Sequence, residues 1–219
     1  MTLFDATTIP LNMPLETIIT FIGAAIMLSL IPGPDNIFVL TQSVINGRKA
    51  GLYITLGLCT GLIVHTSAVV FGVATLFSAN SMAFIVLKSI GVVYLLYLAW
   101  QSFYAQPNEI NQTVKKQISF LSLYRKGIIM NLTNPKVVMF FLAFFPQFTY
   151  PENGEISMQL SVLGGLFIAS ALLVFSSIAF LSGTLRKYLI RTPKIQSVGN
   201  KLASIVFIAL AINLVRSGK

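Results

Sequence analysis

Six long apolar runs follow one another along the chain, at about 15–45, 50–78, 81–104, 127–149, 157–183 and 197–215, with short polar stretches between them. Each is long enough to cross a hydrocarbon core about 30 Å thick as a helix, which takes about 20 residues at 1.5 Å per residue. The pattern therefore predicts six membrane-spanning helices and leaves no room for a separate soluble domain. The longest polar connection runs from Gln106 to Lys126 and carries Pro107, Asn108, Glu109, Asn111, Gln112, Lys115 and Lys116, a loop composition. It divides a single transmembrane domain, residues 1–219, into a first half at 15–104, a loop at 105–126 and a second half at 127–215.

The first and fourth runs are interrupted. Ile31-Pro32-Gly33-Pro34-Asp35-Asn36 breaks one and Asn131-Leu132-Thr133-Asn134-Pro135-Lys136 breaks the other. Unwound backbone inside a bilayer has N–H and C=O groups without partners, so it is tolerated only where it is packed in protein or lines a polar cavity. Breaks at corresponding positions of two halves point to a transporter and to its binding site. Three spans per half is an odd number, so a repeated second half enters the membrane inverted. Small residues in the second and fifth runs agree with that pairing: Gly57, Gly61, Ala68 and Gly72 against Ser161, Gly165, Ala169 and Gly183. A six-helix bundle without internal symmetry is the alternative.

Composition places the chain among all-α integral membrane proteins: 55% of residues are hydrophobic, only 10% are charged, and mean hydropathy is +0.82. The net charge of +9 reads as topology rather than as nucleic-acid binding, because the basic residues gather in alternate loops. Arg48 and Lys49, then Lys115, Lys116, Arg125 and Lys126, then Arg186, Lys187, Arg191 and Lys194 mark cytoplasmic loops. Asp5, Glu16, Glu152 and Glu155 lie on the opposite side, so both termini face outward, although Arg216 and Lys219 run against this at the C-terminus. The first run lacks a basic leader and a small-residue cleavage site, which predicts an uncleaved anchor. The single cysteine, Cys59, excludes an intrachain disulfide and a Cys-x-x-Cys redox pair.

Polar residues at the breaks are the candidate chemistry. Pro32 ends one half-helix, Gly33 offers unusual backbone freedom, and Pro34 suits the first position of the next half-helix, with Pro135 its counterpart. Asp35 is the only acidic residue away from the ends of a run. One reading makes it a cap for the following half-helix; the other makes it a proton or substrate site, because a mid-bilayer carboxylate costs about 2.5–3.5 kcal/mol on insertion scales. Lys136 follows Asn134-Pro135 as Asp35 follows Gly33-Pro34, so the two charges can pair or can share a zwitterion such as an amino acid. It lies about 13 Å into the fourth run, deep for a side chain that merely snorkels. His65, on the Gly57–Gly61 face, is either a proton relay or a neutral group bonded to a neighbouring helix. Lys88 is either a binding group or a snorkelling one. Asn36, Asn131, Asn134 and Gln147 contact substrate or satisfy freed backbone. Tyr94, Tyr97, Trp100 and Tyr104 fit an interfacial belt. The residues form no metal-ligand set and no Walker phosphate loop, so no cofactor is expected.

Several ordered stretches resemble the lysine exporter (LysE/RhtB) family: Pro32-Gly33-Pro34-Asp35-Asn36 with Phe38-Val39-Leu40; Gly47-Arg48-Lys49-Ala50-Gly51; Gly57 to His65; Leu87-Lys88 with Tyr94 to Leu98; and Asn134-Pro135-Lys136 followed by Phe144-Phe145-Pro146-Gln147-Phe148. The likeness runs from 15 to 215. It implies an inner-membrane bacterial exporter of amino acids, driven by the proton gradient, working as a homodimer in the lipid bilayer. The pattern is nearest the threonine/homoserine branch, which implies a neutral amino acid. The resemblance also implies functional roles for Asp35, Lys136, His65 and Lys88. Export then proceeds by alternating access, with glycines at the breaks as hinges and Asp35 taking an external proton as the amino acid leaves. A cation exporter of similar fold and an intramembrane lipid-modifying enzyme using Asp35 and His65 are the other readings; the second lacks a further catalytic carboxylate or metal set.

Overall fold

A computed structural model of the chain describes residues 13–79, 81–106, 119–191 and 193–216. The loop basics Lys115 and Lys116, and Asp5, lie outside the described residues. The described part is helical: α1 (Leu15–Leu30), α2 (Pro34–Asn46), α3 (Arg48–Ala79), α4 (Ser81–Tyr104), α5 (Phe120–Thr133), α6 (Pro135–Met139), α7 (Ile156–Arg191) and α8 (Pro193–Arg216). A π-helical turn, Phe140–Phe144, and a 3-10 turn, Phe145–Phe148, extend α6.

Three helical segments are long and apolar enough to cross a membrane, within Arg48–Gly72, Ile156–Ser182 and Ser197–Arg216, and the count rises to five when each bent pair is one span. The pairs are α1 with α2, bent by 58°, and α5 with the segment Pro135–Phe148, bent by 50°. The helices expose large apolar side chains, as lipid-facing surfaces do: Leu173 is 70% and Val93 68% exposed. Trp100 and Tyr104, expected in an interfacial belt, are exposed on α4.

Both bends arise at proline. The residue before proline is pushed out of the helical region, and Ile31 (ψ 123°) and Asn134 (ψ 107°) both adopt extended backbone there. Pro34 and Pro135 then occupy the first turn of the next helix, where the missing N–H costs nothing. Gly33 departs from the expectation of unusual backbone angles. Its φ of −166° is ordinary extended chain, and its value is space, because a Cβ there would stand 3.4 Å from Lys136 Nζ. Conformation matters at Gly47, which at φ +85° alone turns the chain from α2 into α3, and at Gly154, at φ +128° just before α7.

α1 packs on α7 and α5 on α3, each on the long helix of the other half, while α2 packs on both α3 and α7 and α4 lies along α8. Glycines permit the closest approaches. Gly57 meets the backbone of Tyr124 and Gly127, and Gly61 meets the Asn131 side chain. Thr60 Oγ1 and Tyr124 Oη, 3.0 Å apart, tie the same pair of helices. On α7 the small-residue stripe differs from expectation by one position. Ser161, Gly165 and Ala169 are exposed, with nothing near Gly165, whereas Gly164 packs against Thr66 of α3. The second half also starts earlier than 127, since Ser119 caps α5 by accepting from the Ser122 N–H at 3.2 Å.

Two features position the breaks. Phe21, Phe140, Phe141, Phe144, Phe145, Phe148 and Phe167 form a buried aromatic cluster, with centroids such as Phe21–Phe148 at 5.0 Å and Phe141–Phe145 at 4.8 Å. The π turn seats Ala143 against Gly91 of α4, and Gln147 donates back to the Ala143 carbonyl at 3.3 Å. Helix hydroxyls are largely satisfied by their own helices: Thr55, Thr66, Ser67 and Ser170 each donate to the carbonyl four residues earlier.

Candidate functional site

A helix that ends inside protein leaves its last carbonyls without N–H partners. At the end of α1 these are filled from both halves of the chain. The Ile31 N–H takes the Met27 carbonyl at 3.0 Å. Asn36 Nδ2 takes the Ser29 carbonyl at 2.7 Å, so the polar residue after the break folds back onto the helix before it. Lys136 Nζ, from the opposite break, donates to the Leu28 carbonyl at 3.1 Å and the Ile31 carbonyl at 3.3 Å. An ammonium at a helix C-terminus also meets the negative end of the helix dipole.

The second break is organised by its asparagines. Asn134 Oδ1 accepts from the Lys136 backbone N–H at 3.0 Å and so caps α6, while Asn134 Nδ2 reaches 2.8 Å to Asp35 Oδ2 on α2. The Asn131 carbonyl accepts the Asn134 N–H at 3.1 Å and stands 3.3 Å from His65 Nε2. Since a carbonyl only accepts, that contact assigns the imidazole proton to Nε2. The His65 ring also lies 5.4 Å from Phe141.

Asp35 does not cap α2, for no side chain caps that helix. One carboxylate oxygen is held by Asn134, and the other, Oδ1, has no hydrogen-bond partner although Asp35 is only 1% exposed. Nor do the two charges form a direct ion pair, because the Lys136 ammonium is turned to the α1 carbonyls. Asn36 Oδ1 and Asn131 Oδ1 are likewise buried without a donor. Each such acceptor costs free energy until it is paired; Asn131 Oδ1 lies against Gly61 of α3, whereas Asp35 Oδ1 is a carboxylate oxygen that a cationic or N–H-bearing ligand would satisfy.

The structure thus brings together Asp35, Asn36, Asn131, Asn134, Lys136 and His65 with Pro32, Gly33, Pro34 and Pro135. Lys88 is half-buried on α4 and takes no part in the hydrogen bonds that join Asp35, Asn134, Lys136 and the α1 carbonyls. Ser29 and Leu28 enter the site through their carbonyls, and no feature of the sequence singled them out. Among the described residues, no group of three or more His, Cys, Asp or Glu side chains is placed to hold a metal ion.

Removing the imidazole takes away one of two donors to the Asn131 carbonyl and leaves the Asn134 N–H in place. His65→Ala is therefore expected to cost about 1 kcal/mol of stability and to slow the protein's activity a few-fold rather than abolish it. Thermal unfolding in detergent, set beside a transport assay, checks both.

The family model described as "LysE type translocator" matches residues 26–218. A Bacillus subtilis (strain 168) protein, "Uncharacterized membrane protein YrhP", is 29% identical over 207 residues, covering 90% of this chain and 98% of the relative. Proteins from Salmonella choleraesuis (strain SC-B67) and Salmonella paratyphi A (strain ATCC 9150 / SARB42), each named "Leucine efflux protein", are 32% identical over 200 residues, 89% of this chain and 92% of theirs. No solved structure matches the chain.

Proposed function

This chain belongs to the LysE family of translocators, which are transporters rather than enzymes, and from that premise we propose that it exports a neutral amino acid from the bacterial cytoplasm in exchange for protons. The observation that carries the reading is the buried carboxylate of Asp35, bound on one oxygen by Asn134 of the opposite break and open on the other. That unpaired oxygen suits the ammonium of an amino acid, which would make a charge-assisted hydrogen bond to it. The names of the relatives support a leucine-like substrate, and the sequence resemblance supports a threonine- or homoserine-like one; both are neutral amino acids.

Alternating access follows from the two breaks. Each broken segment of an inverted 3+3 repeat rocks against the long helix of the other half, and the site at their meeting point opens to one side and then to the other. Basic loops face the cytoplasm in this arrangement, with both termini outside and the protein in the inner membrane as a homodimer.

Purified protein in liposomes, preloaded with one unlabelled amino acid at a time, tests the reading by counterflow of the labelled form. Leucine, threonine and homoserine are expected to exchange, and lysine is not. Flux of an inorganic cation with no amino acid exchange would instead select the cation exporter.

A further inference from the structure

We propose that Lys136 is a tethered cation standing where other broken-helix transporters bind a coupling metal ion, and that the proton it carries is the one exchanged for the exported amino acid. The inference rests on the export reading and adds to it the identity of the coupling group.

Terminal carbonyls of a half-helix are the usual ligands of a coupling cation in transporters built from discontinuous helices. Here the carbonyls of Leu28 and Ile31 at the end of α1 are occupied by the Lys136 ammonium, at 3.1 and 3.3 Å. The fit is close, because even a Cβ on Gly33 would stand 3.4 Å from Nζ. A metal ion would have to displace the ammonium to reach those oxygens. A cation supplied by the chain itself removes the need for one from solution.

The same geometry couples the charge to the substrate. Lys136 is engaged with α1 and leaves Asp35 Oδ1 buried without a donor, an acceptor that a substrate ammonium would pair with once the site opens. Two ammonium groups in one desolvated site repel each other, and the repulsion is relieved when Lys136 gives up its proton. The neutral amine keeps N–H donors but loses the charge assistance that holds α1 to α6. Protonated Lys136 therefore belongs to the empty site and neutral Lys136 to the loaded one; these two forms, each with one ammonium between the breaks, are the ones that pass between the two faces, the first carrying the proton inward and the second the amino acid outward. Over a cycle the amino acid leaves outward, a proton from outside restores the ammonium, and that proton is released inside when the next amino acid binds.

Among the described residues, the other titratable groups on the elements around Lys136 include Asp35, His65, Lys88 and the buried thiol of Cys59 on α3. Asp35 on α2 faces the same site through Asn134, His65 on α3 reaches the Asn131 carbonyl, and Lys88 is half-buried on α4, which packs on α6 and the π turn.

The test uses the whole protein in liposomes whose interior is about one pH unit more acidic than the bath, so that protons leaving drive amino acid uptake. Wild type is expected to take up its substrate several-fold above the level without a gradient, equally in sodium and in choline buffers. Lys136→Gln keeps a donor for the carbonyls without a charge, and Lys136→Arg keeps the charge without a releasable proton. Both are expected to show slowed but measurable counterflow and no response to the gradient. A brace with no part in coupling would be satisfied by arginine, so a Lys136→Arg protein that still responds to the gradient overturns the inference. A wild type that requires sodium overturns it as well. Absence of amino acid counterflow in wild type would sink the export reading and this inference with it, whereas counterflow in wild type with gradient response in both variants sinks this inference alone.

Discussion

Asp35→Asn is expected to cripple both modes of transport, lowering counterflow and gradient-driven uptake alike by about tenfold to a hundredfold. The substitution removes the charge that receives the substrate ammonium, and a charge-assisted hydrogen bond in a desolvated site is worth about 1.5–3 kcal/mol, one to two factors of ten in rate. Folding is spared, because the asparagine carbonyl still accepts from Asn134 Nδ2 where Oδ2 did at 2.8 Å, and the side chain is the same size. Equal recovery of wild type and variant from the membrane, with equal thermal midpoints, is the control. The two modes of transport separate the possible roles of the carboxylate. An Asp35→Asn protein that exchanges substrate at the wild-type rate and loses only its response to a pH gradient would make Asp35 the proton carrier and leave no such role for Lys136.

Gly57→Val is expected to remove the folded protein from the membrane. A Cβ at Gly57 would fall on the carbonyl oxygen of Tyr124 and 3.0 Å from the Gly127 Cα, and one at Gly127 would fall 2.5 Å from the Ile54 carbonyl oxygen. These are backbone atoms of two helices in contact, so no rotamer relieves the clash and α3 must part from α5. Overpacking of a tight core costs about 1–3 kcal/mol and more where backbone has to move, which consumes much of the stability of a small protein. Gly72→Val on the same helix meets nothing within 4 Å and is the matched control. Detergent extraction followed by size-exclusion chromatography reads the outcome. If the two variants elute and unfold alike, the close α3–α5 contact is not a support of the fold.

Much of this architecture is written in the sequence, and the exceptions have a common cause. The breaks are legible because proline has no N–H and biases the residue before it, so Pro32, Pro34 and Pro135 mark the bends without reference to the rest of the chain. The Gly57–Gly61–His65 face is legible because three marked residues at a spacing of four fix the phase of a helix. On α7 no such marker exists: the helix is apolar nearly all round, and the frame containing Ser161, Gly165 and Ala169 is as plausible by composition as the frame through Gly164 that packs. The α5 start was obscured because the turn at Phe120 to Lys126 is polar enough to read as loop, yet Ser119 caps it into helix. Within the site, Asp35 and Lys136 invite pairing as opposite charges, whereas the ammonium goes to Leu28 and Ile31. Every residue carries a carbonyl, so a carbonyl freed by a break has no letter of its own. The π turn was hidden for a related reason, since Phe140 to Phe145 reads as a uniform apolar run whose winding is decided by the partners it packs against, such as Gly91.

The cross-bracing of the breaks bears on how the chain can be divided. Asp35 and the carbonyls of α1 come from the first half, while Asn134 and Lys136 come from the second, and the long helices interlock in the same crossed sense. Neither half owns a complete site, and a polypeptide ending after α4 would hold bare carbonyls and an unattended carboxylate in the bilayer. Made alone, each fragment is expected to be unstable in the membrane. Made together from two genes split in the connection between α4 and α5, they have complementary surfaces to find each other by, and transport should return only when both are present.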